Sequence, residues 1–230
     1  MQPITAGRVL RAGAVALALA LAPGPALAHP HIWVDAGLEI FFDEDGKLAA
    51  LRITWVYDEF FSMLLLSDLE LESAFDDALT PEDHAALQGF DMNWIDGYHG
   101  DVHLRAGGAP VALTGPLEWT SDYVDGQLIS THLRALEERI PADGGDVAIA
   151  VYDPTYYTEY RIAAQPQVRG RDDCTAELVA ADWEAADATL QAKLDEMRAQ
   201  GMDLLDIEED FPEVGALFAD EVRIACAAPS

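Results

Sequence analysis

The stretch that decides the fold is residues 31–57, which read HIWVDAGLEIFFDEDGKLAALRITWVY. Apolar residues alternate with other residues on both sides of an acidic segment, 43–46, that ends in Asp-Gly. This alternation predicts strands with one buried face, and Asp-Gly supplies the positive φ angles of a hairpin turn. The sequence therefore predicts strands over 31–42 and 47–57, joined as an antiparallel hairpin.

The remainder of the chain predicts further strands with a few helices between them. Helices are predicted over 60–71, 81–88 and 183–200. The acidic segment 203–213 indicates a surface loop or a short helix. Predicted strands are 98–105, 111–113, 117–124, 127–133, 147–152, 158–163, 175–179 and 219–226.

This order of elements predicts an α+β fold: a β-rich single domain of antiparallel hairpins with helices packed on one face. The last helix carries an apolar stripe that is expected to pack on the sheet. Its members are Trp183, Leu190, Leu194 and Met197.

Residues 1–28 are predicted to be a secretory signal peptide. Arg8 and Arg11 precede an apolar run over 12–22, which is too short to span a bilayer. Ala26 and Ala28 then offer the small residues that a signal peptidase requires. Cleavage after Ala28 would leave one domain over 29–230, expected in the periplasm, with His29 as its first residue.

The charge of the chain limits the classes of partner. Its 13 lysines and arginines face 42 aspartates and glutamates, which gives a formal net charge of −29. Such a charge repels nucleic acids and anionic lipid surfaces, so nucleic-acid binding is not expected. No stretch after residue 28 is long and apolar enough to cross a membrane, so stable membrane insertion is not expected either. In an exported protein the two cysteines, Cys174 and Cys226, most simply form a disulfide, and a pair of thiolate metal ligands is the alternative.

The N-terminal end of the predicted domain carries the first candidate metal ligands. After cleavage, the amine and imidazole of His29 could bind one metal ion together with the imidazole of His31; the alternative is that both residues merely open the first strand. Pro30 has no N–H, which excludes the square-planar copper or nickel mode that needs a deprotonated amide there. Carboxylates that could complete the shell are Asp35, Asp58 and Glu59.

A second set of candidate ligands follows in the middle of the chain. His99, Asp101 and His103 are spaced so that a strand would point all three side chains the same way. Such a His-x-Asp-x-His pattern suits Zn²⁺, Ni²⁺ or Cu²⁺, and the two histidines are also the best additional donors for the N-terminal site. The alternative is the solvent-exposed face of a half-buried strand.

Four segments together resemble the DUF1007 family of exported proteins. They are HPHIWVD at 29–35, WVYDEF at 55–60, YDPTYY at 152–157 and FADEVRIAC at 218–226. The resemblance implies a periplasmic component of transition-metal uptake. Some relatives are linked or fused to nickel/cobalt-type permeases, so an inner-membrane metal permease is the expected partner.

Three functions remain open from the sequence. The first is a protein that binds Zn²⁺, Ni²⁺ or Co²⁺ and passes it to a membrane transporter. The second is a copper enzyme similar to the histidine-brace oxygenases, built on His29, and the third is a structural accessory subunit of a transporter that binds no metal. No Gly-x-Ser-x-Gly, phosphate loop or His-Glu-x-x-His occurs, so the sequence predicts a binding protein rather than an enzyme.

Overall fold

The computed structural model describes residues 29–71, 79–95, 98, 100–144 and 146–227. Its strands are β1 (Ile32–Phe42), β2 (Lys47–Tyr57), β3 (Val102–Ala106), β4 (Ala109–Val111), β5 (Leu117–Val124), β6 (Gln127–Pro141), β7 (Val147–Val151), β8 (Thr158–Ile162), β9 (Gln167–Arg169), β10 (Cys174–Val179) and β11 (Glu221–Cys226). Its helices are α1 (Glu59–Asp68), α2 (Pro81–Leu87), α3 (Trp183–Ala199), α4 (Leu204–Glu209) and α5 (Gly215–Phe218).

The first hairpin forms as predicted. One carboxylate oxygen of Asp43 accepts hydrogen bonds from the backbone N–H groups of Asp45 and Lys47, at 3.0 and 2.9 Å. Gly46 adopts a φ of 72°, the left-handed conformation that glycine accommodates without strain. β1 and β2 then pair antiparallel from Val34 opposite Tyr57 onwards.

The strands form two sheets. One has the order β5-β6-β2-β1-β8, with β9 also paired to β1, and the other has the order β10-β11-β7-β3-β4. Every strand pair is antiparallel except that β8 and β9 run parallel to β1. The predicted α+β class, rich in antiparallel sheet, is confirmed.

Both sheets contribute to one main hydrophobic core. Ile40, Ile53 and Leu128 of the first sheet are fully buried in the same cluster as Ile149 and Val222 of the second. Alternate residues of β1 and β2 face this core, as the period-two pattern predicts. The opposite face of β1 is more exposed and mixes polar with apolar residues: Trp33, Asp35, Gly37, Glu39 and Phe41.

The C-terminal helices pack around a separate cluster, which we call the small helical core. It consists of Tyr156, Ala186, Leu190, Leu194, Ile207, Val214 and Phe218. The prediction that the stripe of α3 packs on the sheet is wrong, because Leu190 and Leu194 are buried against α4, α5 and the turn before β8. Trp183, which was assigned to the same stripe, is 41% exposed. None of the helices in the described ranges is long and apolar enough to cross a membrane.

Candidate metal site

The first two ligand candidates are held beside the start of β1. The backbone N–H of His31 donates to the carbonyl of Tyr157 at 2.8 Å, which fixes this segment against the turn that leads into β8. The imidazole rings of His29 and His31 lie edge to face, with centroids 5.0 Å apart. The two histidines therefore share one location.

A third group reaches this location from α4. Asp203 caps this helix by accepting from the N–H groups of Leu205 and Asp206, and Ile207 anchors it in the small helical core. Glu208, the next residue, is thereby placed with Oε1 3.1 Å from Nε2 of His31 and 3.8 Å from Nε2 of His29. One candidate ligand atom from each of the three residues lies within 4.8 Å of the others.

Aromatic rings enclose one side of this group, which we call the His29 site. The ring of Phe211 lies 3.8 Å from the His29 imidazole, and that of Tyr157 lies 4.5 Å from the His31 imidazole, centroid to centroid. The His29 side chain is only 4% exposed, whereas those of His31 and Glu208 are 36% and 40% exposed. The site is thus a half-open pocket with one buried imidazole.

The electrostatics favour the neutral form of the buried imidazole. Burial is the largest influence on His29 and lowers its pKa below 6.5; His31 lowers it further, while Glu208 and Asp153 raise it. A histidine must be neutral to bind a metal ion, so His29 is in the required form at neutral pH. Its Nδ1 is buried and has no hydrogen-bond partner among the described residues.

The three side chains fit a small divalent transition metal. Zinc bonds imidazole nitrogen and carboxylate oxygen at about 2.0–2.2 Å, so tetrahedral ligand atoms lie about 3.3 Å apart. The two nitrogen-to-oxygen separations of 3.1 and 3.8 Å bracket that value. All three candidate ligand atoms lie within 4.8 Å of one another, so a bound ion would draw the side chains closer together. Two imidazoles and one carboxylate also suit nickel, cobalt and copper.

A family model described as a protein of unknown function (DUF1007) matches residues 14–226, nearly the whole chain. The chain belongs to the DUF1007 family. No curated protein matches it.

Asp35, predicted as a ligand of this DUF1007 protein, does not reach the His29 site. It lies four residues beyond His31 along extended backbone, which is a distance of about 13 Å. Its carboxylate instead pairs with Arg161 of the neighbouring strand β8, at 3.2 Å. The prediction that Asp35 joins the histidines is therefore wrong: they share a face, but strand geometry separates them.

The two carboxylates at the end of the first hairpin are also absent from the group. Asp58 is the N-cap of α1, and it accepts hydrogen bonds from the N–H groups of Phe61 and Trp33 at 2.9 and 3.0 Å. Glu59 is exposed in the first turn of that helix and is not part of the His29 site. Asp58 therefore has a structural role, and neither residue supports the predicted metal shell.

The second predicted half-site does not assemble among the described residues. His99 lies outside the described residues. The Nε2 of His103 lies 3.1 Å from the carbonyl of Tyr152, and its ring stacks on the Tyr152 ring at 3.7 Å. Asp101 is buried and does not lie on a solvent-exposed face. Its carboxylate accepts hydrogen bonds from the hydroxyls of Tyr98 and Tyr160 at 2.8 and 2.6 Å, so it is not free to bind a metal ion with His103.

The predicted disulfide is present in this DUF1007 chain. Cys174 and Cys226 are direct partners across β10 and β11, and their sulfur atoms are bonded. The bridge therefore fastens the edge of the second sheet. This pairing removes the alternative in which both cysteines are thiolate ligands.

Sequence reasoning missed Glu208, the carboxylate that does meet the histidines. The spacing of Asp203 and Asp206 matches a capping box and could have located the start of α4. Nothing local to Glu208 indicates its partner, because the two residues that touch are 177 positions apart. Only the tertiary packing of the small helical core creates this contact.

Proposed function

We propose that this protein binds one divalent transition metal ion, Zn²⁺, Ni²⁺ or Co²⁺, as cargo at the His29 site and passes it to a membrane transporter. The observation that supports the proposal is the convergence of His29, His31 and Glu208, with nitrogen-to-oxygen separations of 3.1 and 3.8 Å. This donor set came together from two distant parts of the chain, and two of its three members were candidates from the sequence alone.

The number and exposure of the ligands suit a metal ion that is released to a recipient rather than held permanently. Three protein ligands leave a fourth tetrahedral position for water or for a ligand of the recipient, whereas structural zinc sites are usually closed by four protein ligands. His31 and Glu208 are each more than one-third exposed, so a recipient could approach the ion from their side. Burial of His29 on the opposite side would hold the donor set in place.

The periplasmic location and the transporter partner rest on other features. The signal peptide predicted over 1–28 and the disulfide Cys174–Cys226 both suit an oxidising, exported environment. The net charge of −29 would raise the local concentration of cations around the protein. The resemblance of the sequence to components of metal uptake supports the transporter as recipient.

The test is calorimetric titration of the metal-free protein with Zn²⁺, Ni²⁺ and Co²⁺. Replacing Glu208 with Gln keeps the size of the side chain but weakens a ligand, so affinity should fall by at least about tenfold. Glu209→Gln is the matched control, because it removes the same charge from the next residue of α4. Equal affinities for the two variants, or no stoichiometric binding by the unmodified protein, would contradict the proposal; the second result would leave the structural accessory subunit as the function.

A copper enzyme of the histidine-brace kind is the second candidate, and one observation favours it. In such a site the first residue binds copper through its amine and its Nδ1, and the Nδ1 of His29 is buried without a partner among the described residues. The test compares protein that begins at His29 with protein that carries one extra residue before it. Copper binding that needs the free amine, together with turnover of an oxidant, would support this candidate over the first.

A further inference from the structure

Arginine side chains are unevenly placed in this acidic protein. Most of the described basic residues form ion pairs with carboxylates. Those with no described carboxylate within 4.0 Å are Lys47, Arg105, Arg134 and Lys193. Two of these, Arg105 and Arg134, line one cleft.

The cleft lies between the β3–β4 hairpin and β6, and it encloses about 400 Å³. Its apolar wall is formed by side chains of β3, β4 and the segment that follows them. Glu137 is the one carboxylate among its described lining residues. The cleft contains no residue of the His29 site. Its lining carries more positive than negative charge, in contrast to the molecule as a whole.

Arg134 forms the floor of this cleft and has an incomplete set of partners. The residue is 2% exposed, which makes its charge costly unless the guanidinium is well satisfied. Nε donates to the carbonyl of Thr114 at 2.8 Å, but Nη2 has only the carbonyl of Leu113, at 3.5 Å. Nη1 has no described acceptor.

Asp101, the described carboxylate that acts on Arg134, does not complete this set. Asp101 stabilises the charge of Arg134 at a distance, but its Oδ2 already accepts from the hydroxyls of Tyr98 and Tyr160. Gly100 approaches the guanidinium closely, since a Cβ at that position would lie 2.8 Å from Nη1. The guanidinium also lies over the ring of Trp94, with Cζ 5.0 Å from the ring centroid. Arg134 therefore contributes a buried positive charge beneath the cleft, and this charge acts on His103.

His103 adds a specific acceptor to the same cleft. If Nε2 carries the proton and donates to the carbonyl of Tyr152, Nδ1 is left with a lone pair. Burial, followed by the nearby charges of Arg105 and Arg134, lowers the pKa of this imidazole, while the hydrogen bond to Tyr152 raises it. The cleft thus offers the exposed guanidinium of Arg105 and the buried charge of Arg134 beside an imidazole acceptor.

We propose that this cleft binds a small hydroxycarboxylate. Its carboxylate would pair with the exposed guanidinium of Arg105, above the buried charge of Arg134, and its hydroxyl would donate to Nδ1 of His103. Arginine suits this role because its planar fork matches the two oxygens of a carboxylate.

The experiment is calorimetric titration of metal-free protein at low ionic strength with malate and with succinate, which differ only by one hydroxyl. Arg105→Gln removes an exposed guanidinium of the cleft, and Lys193→Gln removes one exposed charge from α3 as its control. Glu137→Gln removes the carboxylate that lines the cleft. Glu138→Gln is its control, because that residue is next on β6 but does not line the cleft.

The proposal predicts saturable binding of malate that is tighter than that of succinate. Loss of one partly exposed charge changes affinity by up to about fivefold, so Arg105→Gln should weaken malate binding and Glu137→Gln should strengthen it by factors of this size. The controls should leave the affinity unchanged. The proposal is overturned if neither acid binds the folded protein saturably, if each variant behaves like its control, or if succinate binds as tightly as malate.

Discussion

The N-terminal histidine pair and the His103 region look alike in the sequence but differ in the structure. Both place histidines two or four positions apart with an aspartate nearby. At the N-terminus, Glu208 arrives from α4 and the neighbouring charges are acidic, whereas His103 lies among arginines and is occupied by the carbonyl of Tyr152. Histidine spacing alone therefore does not define a cation site; the charge brought by distant elements does.

The largest expected effect is the loss of stability on removing the disulfide, which should leave metal binding at the His29 site unchanged. The disulfide closes a loop with a sequence separation of 52, so replacing both cysteines with Ser should lower the free energy of unfolding by about 4 kcal/mol. The bridge is in the second sheet, away from His29, so zinc affinity should be unchanged under conditions where the variant remains folded. Denaturant unfolding and calorimetry measure the two quantities, and parallel losses in both would show that the two regions are coupled.

The next effect tests the comparison of the two histidine regions directly. His31→Ala should weaken zinc binding by on the order of 100-fold, since it removes a ligand. His103→Ala should leave zinc affinity unchanged, because its imidazole contacts Tyr152 and not the His29 site. Competition titrations with a zinc-sensitive dye measure both. A similar loss in the two variants would mean that the regions cooperate in one metal site, as the sequence allowed.

A smaller effect concerns His132, a histidine outside both regions that is buried on β6. Burial first, and then the charge of Arg134, lowers the pKa of His132 from 6.5 to about 4. The unfolded chain therefore binds this proton at higher pH, and His132 costs stability as the pH falls from 6.5 towards 4. His132→Gln should remove about 3 kcal/mol of that loss.

The titration of Asp101 changes the free energy of unfolding in the opposite direction over the same pH range. The unmodified protein, which retains Asp101, is therefore measured as the reference. Burial raises its pKa from 3.8 to about 6, so the folded state binds its proton first and Asp101 costs stability as the pH rises through this window. Unfolding free energies of the unmodified protein and of His132→Gln, compared at several pH values, isolate the histidine. A constant difference between the two curves would contradict the assigned pKa.

The local elements were predictable because their causes are local. The alternation in β1 and β2 and the Asp-Gly turn specify the first hairpin, and the caps at Thr80 and Asp182 specify where α2 and α3 begin. The sequence also predicted the disulfide, and it selected His29 and His31, which the structure places side by side. These predictions needed only the period of a strand, the geometry of a cap or the redox chemistry expected if the chain is exported.

The remaining features depend on contacts between distant segments. Asp35 shares a face with the histidines, but a rise of about 3.3 Å per residue carries it out of reach. Glu208 approaches them because α3, α4 and α5 form their own small core. An apolar stripe on α3 is equally compatible with packing on the sheet, so the sequence pattern could not predict this core. The burial of Asp101 and Arg134 likewise follows from the packing of the two sheets.

The most direct measurement is a crystal structure of the protein loaded with Zn²⁺, with anomalous data collected at the zinc absorption edge. We expect one strong anomalous peak at the His29 site, from a zinc ion bonded to His29, His31 and Glu208 at about 2.0–2.2 Å. A peak at His103, Asp58 or Asp35 instead, or no peak on the folded protein, would contradict this expectation.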